Sequence, residues 1–101
     1  MYNKGTQWVY MIMKGFRELE RIVKGFANHR RIEILMLLKK EPELSVDEIA
    51  GQLKINFKTA SEHVRRLAIA GLVLKRSEGN HVRHKLSVRA ESILKFLRIL
   101  E

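Results

Sequence analysis

Residues 45–86 read SVDEIAGQLKINFKTASEHVRRLAIAGLVLKRSEGNHVRHKL, and the change of periodicity inside this stretch decides the fold. Ser45-Val46-Asp47-Glu48 has the form of a capping box, with Ser45 at the N-cap and the Glu48 carboxylate placed to reach back to the Ser45 N–H. Ile49, Ala50 and Leu53 follow as the apolar face of a short helix. The connection Lys54-Ile55-Asn56 is tight, so the next helix must cross the first at a steep angle. Asn56 is the expected N-cap of that helix, which runs from Phe57 to Ala70. Phe57, Ala60, Val64 and Leu67 recur at helical spacing on one face, while Lys58, Ser61, Glu62 and Arg65 share the opposite, polar face. Gly71 stands where a helix end favours a left-handed residue. Alternation at every second residue then takes over. Leu72–Arg76 predicts a strand, Ser77–Asn80 a turn, and His81–Leu86 the returning strand of a hairpin. Val82, His84 and Leu86 point one way; His81, Arg83 and Lys85 point the other.

Helices extend to both sides. Upstream, Val9, Ile12, Phe16, Leu19, Val23 and Phe26 form a heptad-like stripe from about Thr6 to Phe26, and Gly15 leaves its start open as far as Met13. A second helix starts at Asn28 as N-cap, buries Ile32, Leu35, Met36 and Leu38, and ends at Lys39–Glu41 before Pro42. Leu44 is placed either to staple against Ile49 or to pair with a later strand. Downstream, Ser87 caps a last helix whose Ala90, Ile93, Leu97 and Leu100 form one stripe, broadened by Leu94 and Phe96. The fold class is mainly α with a small β-hairpin, in the order α-α-α-α-β-β-α. Residues 1–101 read as one domain, with flanking helices over 6–26 and 88–100, a helical pair over 45–70 and the hairpin over 72–86.

Composition narrows the function. The formal net charge of +9 points to an anionic partner, nucleic acid before membrane surface. Between Leu53 and Arg89 nine basic residues face only Glu62 and Glu78, so that stretch carries +7 of the total. With no cysteine, disulfides, thiolate metal sites and thiol nucleophiles are excluded. No run is apolar and long enough to cross a bilayer, and no secretory leader is recognisable, which makes the cytoplasm the expected compartment. His29, His63, His81 and His84 show no helical ligand spacing, so no metal site is expected. Ser61-Glu62-His63 are consecutive on a helix and point apart, which rules out a catalytic relay. No phosphate-binding glycine loop or paired-carboxylate signature appears; neither an enzyme nor a cofactor is implied.

Two helices with a tight connection and a basic hairpin suit the major groove and its flanking phosphates. Lys58, Ser61, Glu62 and Arg65 are the groove-facing candidates, with Asn56 and Thr59 at the helix start either capping or meeting phosphate. Glu62 either sharpens specificity or pairs with Arg65 or Arg66. Phe57 belongs to the core stripe or else meets a thymine methyl. On the hairpin, Lys75, Arg76, Asn80, His81, Arg83 and Lys85 are the candidate contacts.

The chain also resembles the ArsR/SmtB-like winged helix-turn-helix repressors. The resemblance rests on Phe26–Arg31, on Glu43–Ala50, on Thr59–Val64, and on Leu67, Ala70–Val73 and Glu78-Gly79. It implies a homodimer built from the first and last helices, here Ile12, Phe16, Leu19, Val23, Ile93, Leu97 and Leu100, that binds inverted repeats of double-stranded DNA and regulates transcription. Family members often sense metals through cysteines, or through Asp, His and Glu on the last helix. This chain has no cysteine and no His or Asp in its last helix, which argues against such a switch. A non-specific architectural or RNA-binding role and a protein-interaction role stay open at this point.

Overall fold

The computed structural model describes the backbone of residues 4–101, and the side chains from residue 15 onward. Five helices and one hairpin follow in the order α1 (Lys4–Phe26), α2 (His29–Lys40), α3 (Val46–Leu53), α4 (Phe57–Ile69), β1 (Val73–Glu78), β2 (His81–Leu86) and α5 (Val88–Leu100). The helix α1 starts at Lys4 and runs unbroken through Gly15, so the later start near Met13 does not hold.

Each helix after the first starts at a side chain that accepts otherwise unpaired N–H groups. Asn28 accepts from Arg30 and Arg31, Asn56 from Lys58 and Thr59, and Ser87 from Ala90. The Ser45–Glu48 box closes in both directions, with Glu48 N–H donating to Ser45 Oγ at 3.2 Å and Ser45 N–H donating to Glu48 Oε1 at 2.9 Å. Gly71 ends α4 at φ +76°. The turn between α3 and α4 passes through Lys54 in the left-handed region at φ 55°, and Ile55 N–H returns to the Ala50 carbonyl.

The core gathers Phe26, Ile34, Leu35, Leu38, Ile49, Val64, Leu67, Leu72, Val73 and Ala90 between α2, α3, α4 and the base of the hairpin. Two expected core residues lie outside it. Met36 is exposed, because the inward face of α2 is centred on Ile34, Leu35 and Leu38 and Met36 falls on the far side. Phe57 is 54% exposed, because as the first residue of α4 it precedes the turns where Ala60 and Val64 meet the core.

The hairpin is longer and its turn tighter than the alternation predicts. Leu72 is buried ahead of β1, and Ser77 and Glu78 pair with Val82 and His81. The turn is reduced to Gly79-Asn80, with Gly79 at φ +61°, as a two-residue turn with glycine first requires. Leu44 pairs with His84 as a single bridge, which ties the loop before α3 to the hairpin. His84 is buried there, and its Nδ1 lies 2.9 Å from the Leu44 carbonyl. The N–H of the neutral tautomer donates across that gap, and burial holds the imidazole pKa below its ordinary value.

Candidate nucleic-acid interface

The polar face of α4 is held from behind by Ala60, Val64 and Leu67, all fully or nearly fully buried. Lys58, Thr59, Glu62 and Arg65 are exposed on the other side and Ser61 is half-buried. Asn56 is committed to capping, its Oδ1 accepting from Lys58 N at 2.7 Å and from Thr59 N at 3.3 Å. The N–H groups at this helix start are thereby partly spent inside the chain.

Glu62 pairs with both neighbours. Arg65 donates two parallel bonds to its oxygens, from Nε at 2.9 Å and Nη2 at 2.8 Å, and Arg66 Nε adds a third at 3.2 Å. The Arg65 fork and then its charge lower the Glu62 pKa to about 2. At neutral pH this face therefore presents two guanidiniums gathered on one carboxylate. Beside them His63 is half-buried, and burial, aided by the Arg31 charge, lowers its pKa.

The hairpin candidates separate into two sets. Arg76 and Arg83 stand opposite each other across the strands, where like charges repel. Acidic groups resolve the conflict. Arg76 Nη2 lies 3.0 Å from Glu43 Oε2 and 3.2 Å from Glu78 Oε2. Arg83 donates to Glu78 at 3.3 Å, to the Glu43 carbonyl at 3.3 Å and to Glu48 at 3.4 Å. Glu78 is held below the ordinary carboxylate range, first by Arg76 and then by Arg83. These arginines thus brace the hairpin against the start of α3. Lys75, Lys85, Asn80 and His81 are exposed, and among the described residues neither lysine has an acidic partner. This bracing is not among the sequence expectations; its signal was the acids Glu43, Glu48 and Glu78 flanking and within the basic hairpin segment.

The apolar candidates lie on α1 and α5. Phe16, Leu19 and Val23 are 61%, 57% and 49% exposed along α1. On α5, Ile93 and Leu97 are half-buried against the core and Leu100 is exposed. A groove of about 750 Å³ between the two helices is lined by Phe16, Leu19, Ile22 and Ile93. The Ile12 side chain lies outside the described residues. No group of three or more His, Cys, Asp or Glu residues able to hold a metal occurs among the described residues, and no described helix is long and apolar enough to cross a membrane.

A helical pair with a capped second helix, followed by a two-stranded wing braced against it, defines a winged helix-turn-helix domain. Residues 28–75 match the family described as bacterial regulatory proteins of the arsR family. The chain is 36% identical over 70 residues to the HTH-type transcriptional regulator Rv0324 of Mycobacterium tuberculosis, a match covering 69% of the chain and 30% of that protein. Reduced HlyU from Vibrio cholerae superposes with a TM-score of 0.76 at 31% identity, over 89% of this chain and 95% of that one. The homodimeric winged helix-turn-helix DNA-binding domain of Mb0332 from Mycobacterium bovis, a possible ArsR-family regulator, superposes with a TM-score of 0.81 at 26% identity, over 99% and 89%. The chain belongs to the ArsR family of bacterial regulatory proteins. It spans between 30% and 57% of the length of the curated relatives it matches.

Proposed function

We propose that the chain is a transcriptional regulator, a dimeric repressor, that reads a specific double-stranded DNA sequence with α4. The observation that carries this reading is the polar face of α4, with Lys58, Glu62 and Arg65 exposed, backed by a buried stripe and flanked by a braced wing. Lys58, Ser61, Glu62 and Arg65 enter the major groove, where an arginine fork matches the two acceptors of guanine. Lys75, Lys85, Asn80 and His81 follow the neighbouring backbone, while Arg76 and Arg83 hold the wing in place. Thr59 meets a phosphate at the helix start, which Asn56 caps.

The dimer forms through α1 and α5. Three large apolar side chains in a row on α1 are a costly surface to leave in water, and a second copy covers them. The homodimeric state of the Mb0332 domain supports this reading. In such an assembly residues 1–101 form one domain, with helices 6–26 and 88–100 serving dimerisation, 45–70 reading DNA and 72–86 forming the wing. The protein has no catalytic role in this account and acts in the cytoplasm, where its DNA is.

The test is a titration of labelled random-sequence duplex with the protein across a salt series. Double-stranded DNA binding whose affinity falls steeply with salt is expected. Absence of duplex binding at low salt overturns the reading.

A further inference from the structure

A second basic feature adjoins the groove-facing residues and shares Arg65 with them. Where the end of α1, the start of α2 and the last turns of α4 meet, there is a cleft of about 250 Å³. Five cations line it: Arg21 and Lys24 from α1, Arg31 from α2, and Arg65 and Arg66 from α4. Gly25, Ile69 and Ala70 complete its lining.

The ends of two helices point carbonyl groups toward this junction, which by itself disfavours an anion. Those carbonyls are already engaged. Arg31 Nη1 donates to Gly25 O at 3.1 Å and to Lys24 O at 3.4 Å, and Arg89 Nη1 donates to Ala70 O at 3.3 Å. Three carboxylates oppose the five cations. Glu18 and Glu20 stand 3.7 Å from Arg21 and 3.6 Å from Lys24 as loose, solvated pairs. Glu62 holds Arg65 and Arg66 but does not line the cleft. The cleft is therefore positive.

One donor of a lining residue is unmet. Arg31 Nε is buried and has no hydrogen-bond partner, the one buried side-chain atom in that condition among the described residues. An ionised group rarely leaves a buried N–H unpaired without a reason.

We propose that this cleft is a binding site for a phosphate group. Phosphate fits better than a single carboxylate because it offers several oxygens to planar guanidinium forks arriving from three helices. On binding, Arg66 exchanges the Glu62 carboxylate for a phosphate oxygen, and Arg31 Nε gains an acceptor. The phosphate comes either from a nucleic-acid backbone beside α4, which rests on the DNA-binding reading above, or from a free polyphosphate anion, which does not.

The test compares the full chain with the double variant R21Q/R66Q, whose two side chains are exposed and leave the core untouched. Thermal unfolding of each is followed against inorganic pyrophosphate, with ionic strength held constant by sodium chloride. Binding to random duplex is titrated against salt in parallel. A saturable rise of Tm with pyrophosphate in the wild type, absent in the variant, establishes a free-anion site. An unresponsive Tm, with the logarithmic salt slope shallower in the variant by about 1.8 (about 0.9 for each lost phosphate contact), assigns the site to the DNA backbone. Equal slopes and no pyrophosphate response overturn the proposal and leave DNA binding standing. A pyrophosphate response without duplex binding overturns the DNA reading and leaves this site standing.

Discussion

Gly25 offers the sharpest quantitative test of how α1 is docked on the helix proposed to read DNA. A Cβ built at Gly25 overlaps the Ala70 Cβ at the end of α4, while one built at Gly51 in α3 meets nothing within 4 Å. In an unencumbered helix, Gly→Ala stabilises by about 1 kcal/mol. Forcing an extra methyl into a packed contact costs about 1–3 kcal/mol. Gly51→Ala should therefore gain up to about 1 kcal/mol, while Gly25→Ala should change stability by anything from no loss to a loss of about 2 kcal/mol. The difference between the two sites, in which helix propensity largely cancels, should be about 1–3 kcal/mol. Because Ala70 supplies the opposing methyl, Gly25→Ala/Ala70→Gly should recover much of that difference. Urea unfolding at one fixed protein concentration measures all of these values, which matters if association contributes to stability. Gly25→Ala as stable as Gly51→Ala would refute the close docking of α1 on α4.

Other expectations follow from the surface geometry. Arg65→Ala should lower affinity for a preferred duplex roughly five- to hundredfold, with a much smaller loss on random duplex, as measured by fluorescence anisotropy; equal losses on both would remove Arg65 from base reading. Glu62→Gln releases two guanidiniums, so random-duplex binding should tighten at low salt and its salt slope should steepen by about 0.9 for each phosphate gained; an unchanged slope would count against it. His84 and His63 are both held below the ordinary histidine pKa by burial, so the unfolded chain takes up protons first. Their stabilisation is complete above about pH 6.5 and is lost as pH falls from there through the folded values, at no more than about 1.4 kcal/mol per pH unit for each group. Urea unfolding from pH 7.5 down should show that decline, with a smaller slope in His84→Gln. Leu19→Glu should convert a dimer to a monomer in sedimentation; an unchanged mass would exclude the α1 face from the interface.

The sequence was most legible where a local rule determines the structure. The Ser45–Glu48 box, the Asn28, Asn56 and Ser87 caps, and the left-handed Gly71 all depend on neighbours within one turn, and each appears where expected. Burial was less legible. The second helix has apolar residues around most of its circumference, so periodicity could not choose between the faces of Ile34 and Met36. Phe57 shares the spacing of the core stripe but lies beyond the turns that meet the core. Least legible were the charges. The pairing of Arg76 with Glu43 and of Arg83 with Glu48 joins residues more than thirty positions apart, and only the bridge between Leu44 and His84 brings those segments together. Likewise, Arg21 and Lys24 show in sequence as a solvated helix face, and only the docking of α1 on α4 brings them beside Arg65 and Arg66.

In the function proposed above, two copies of the chain read a specific duplex through α4. Selection of bound duplexes from a random DNA pool at near-physiological salt, followed by sequencing, tests it most directly. The expected result is enrichment of an inverted repeat whose half-sites lie about one helical turn, or about 10 base pairs, apart. Retention of the pool without any enriched sequence would contradict it and leave an architectural or RNA-binding role, while no retention at all would point to a protein-interaction module.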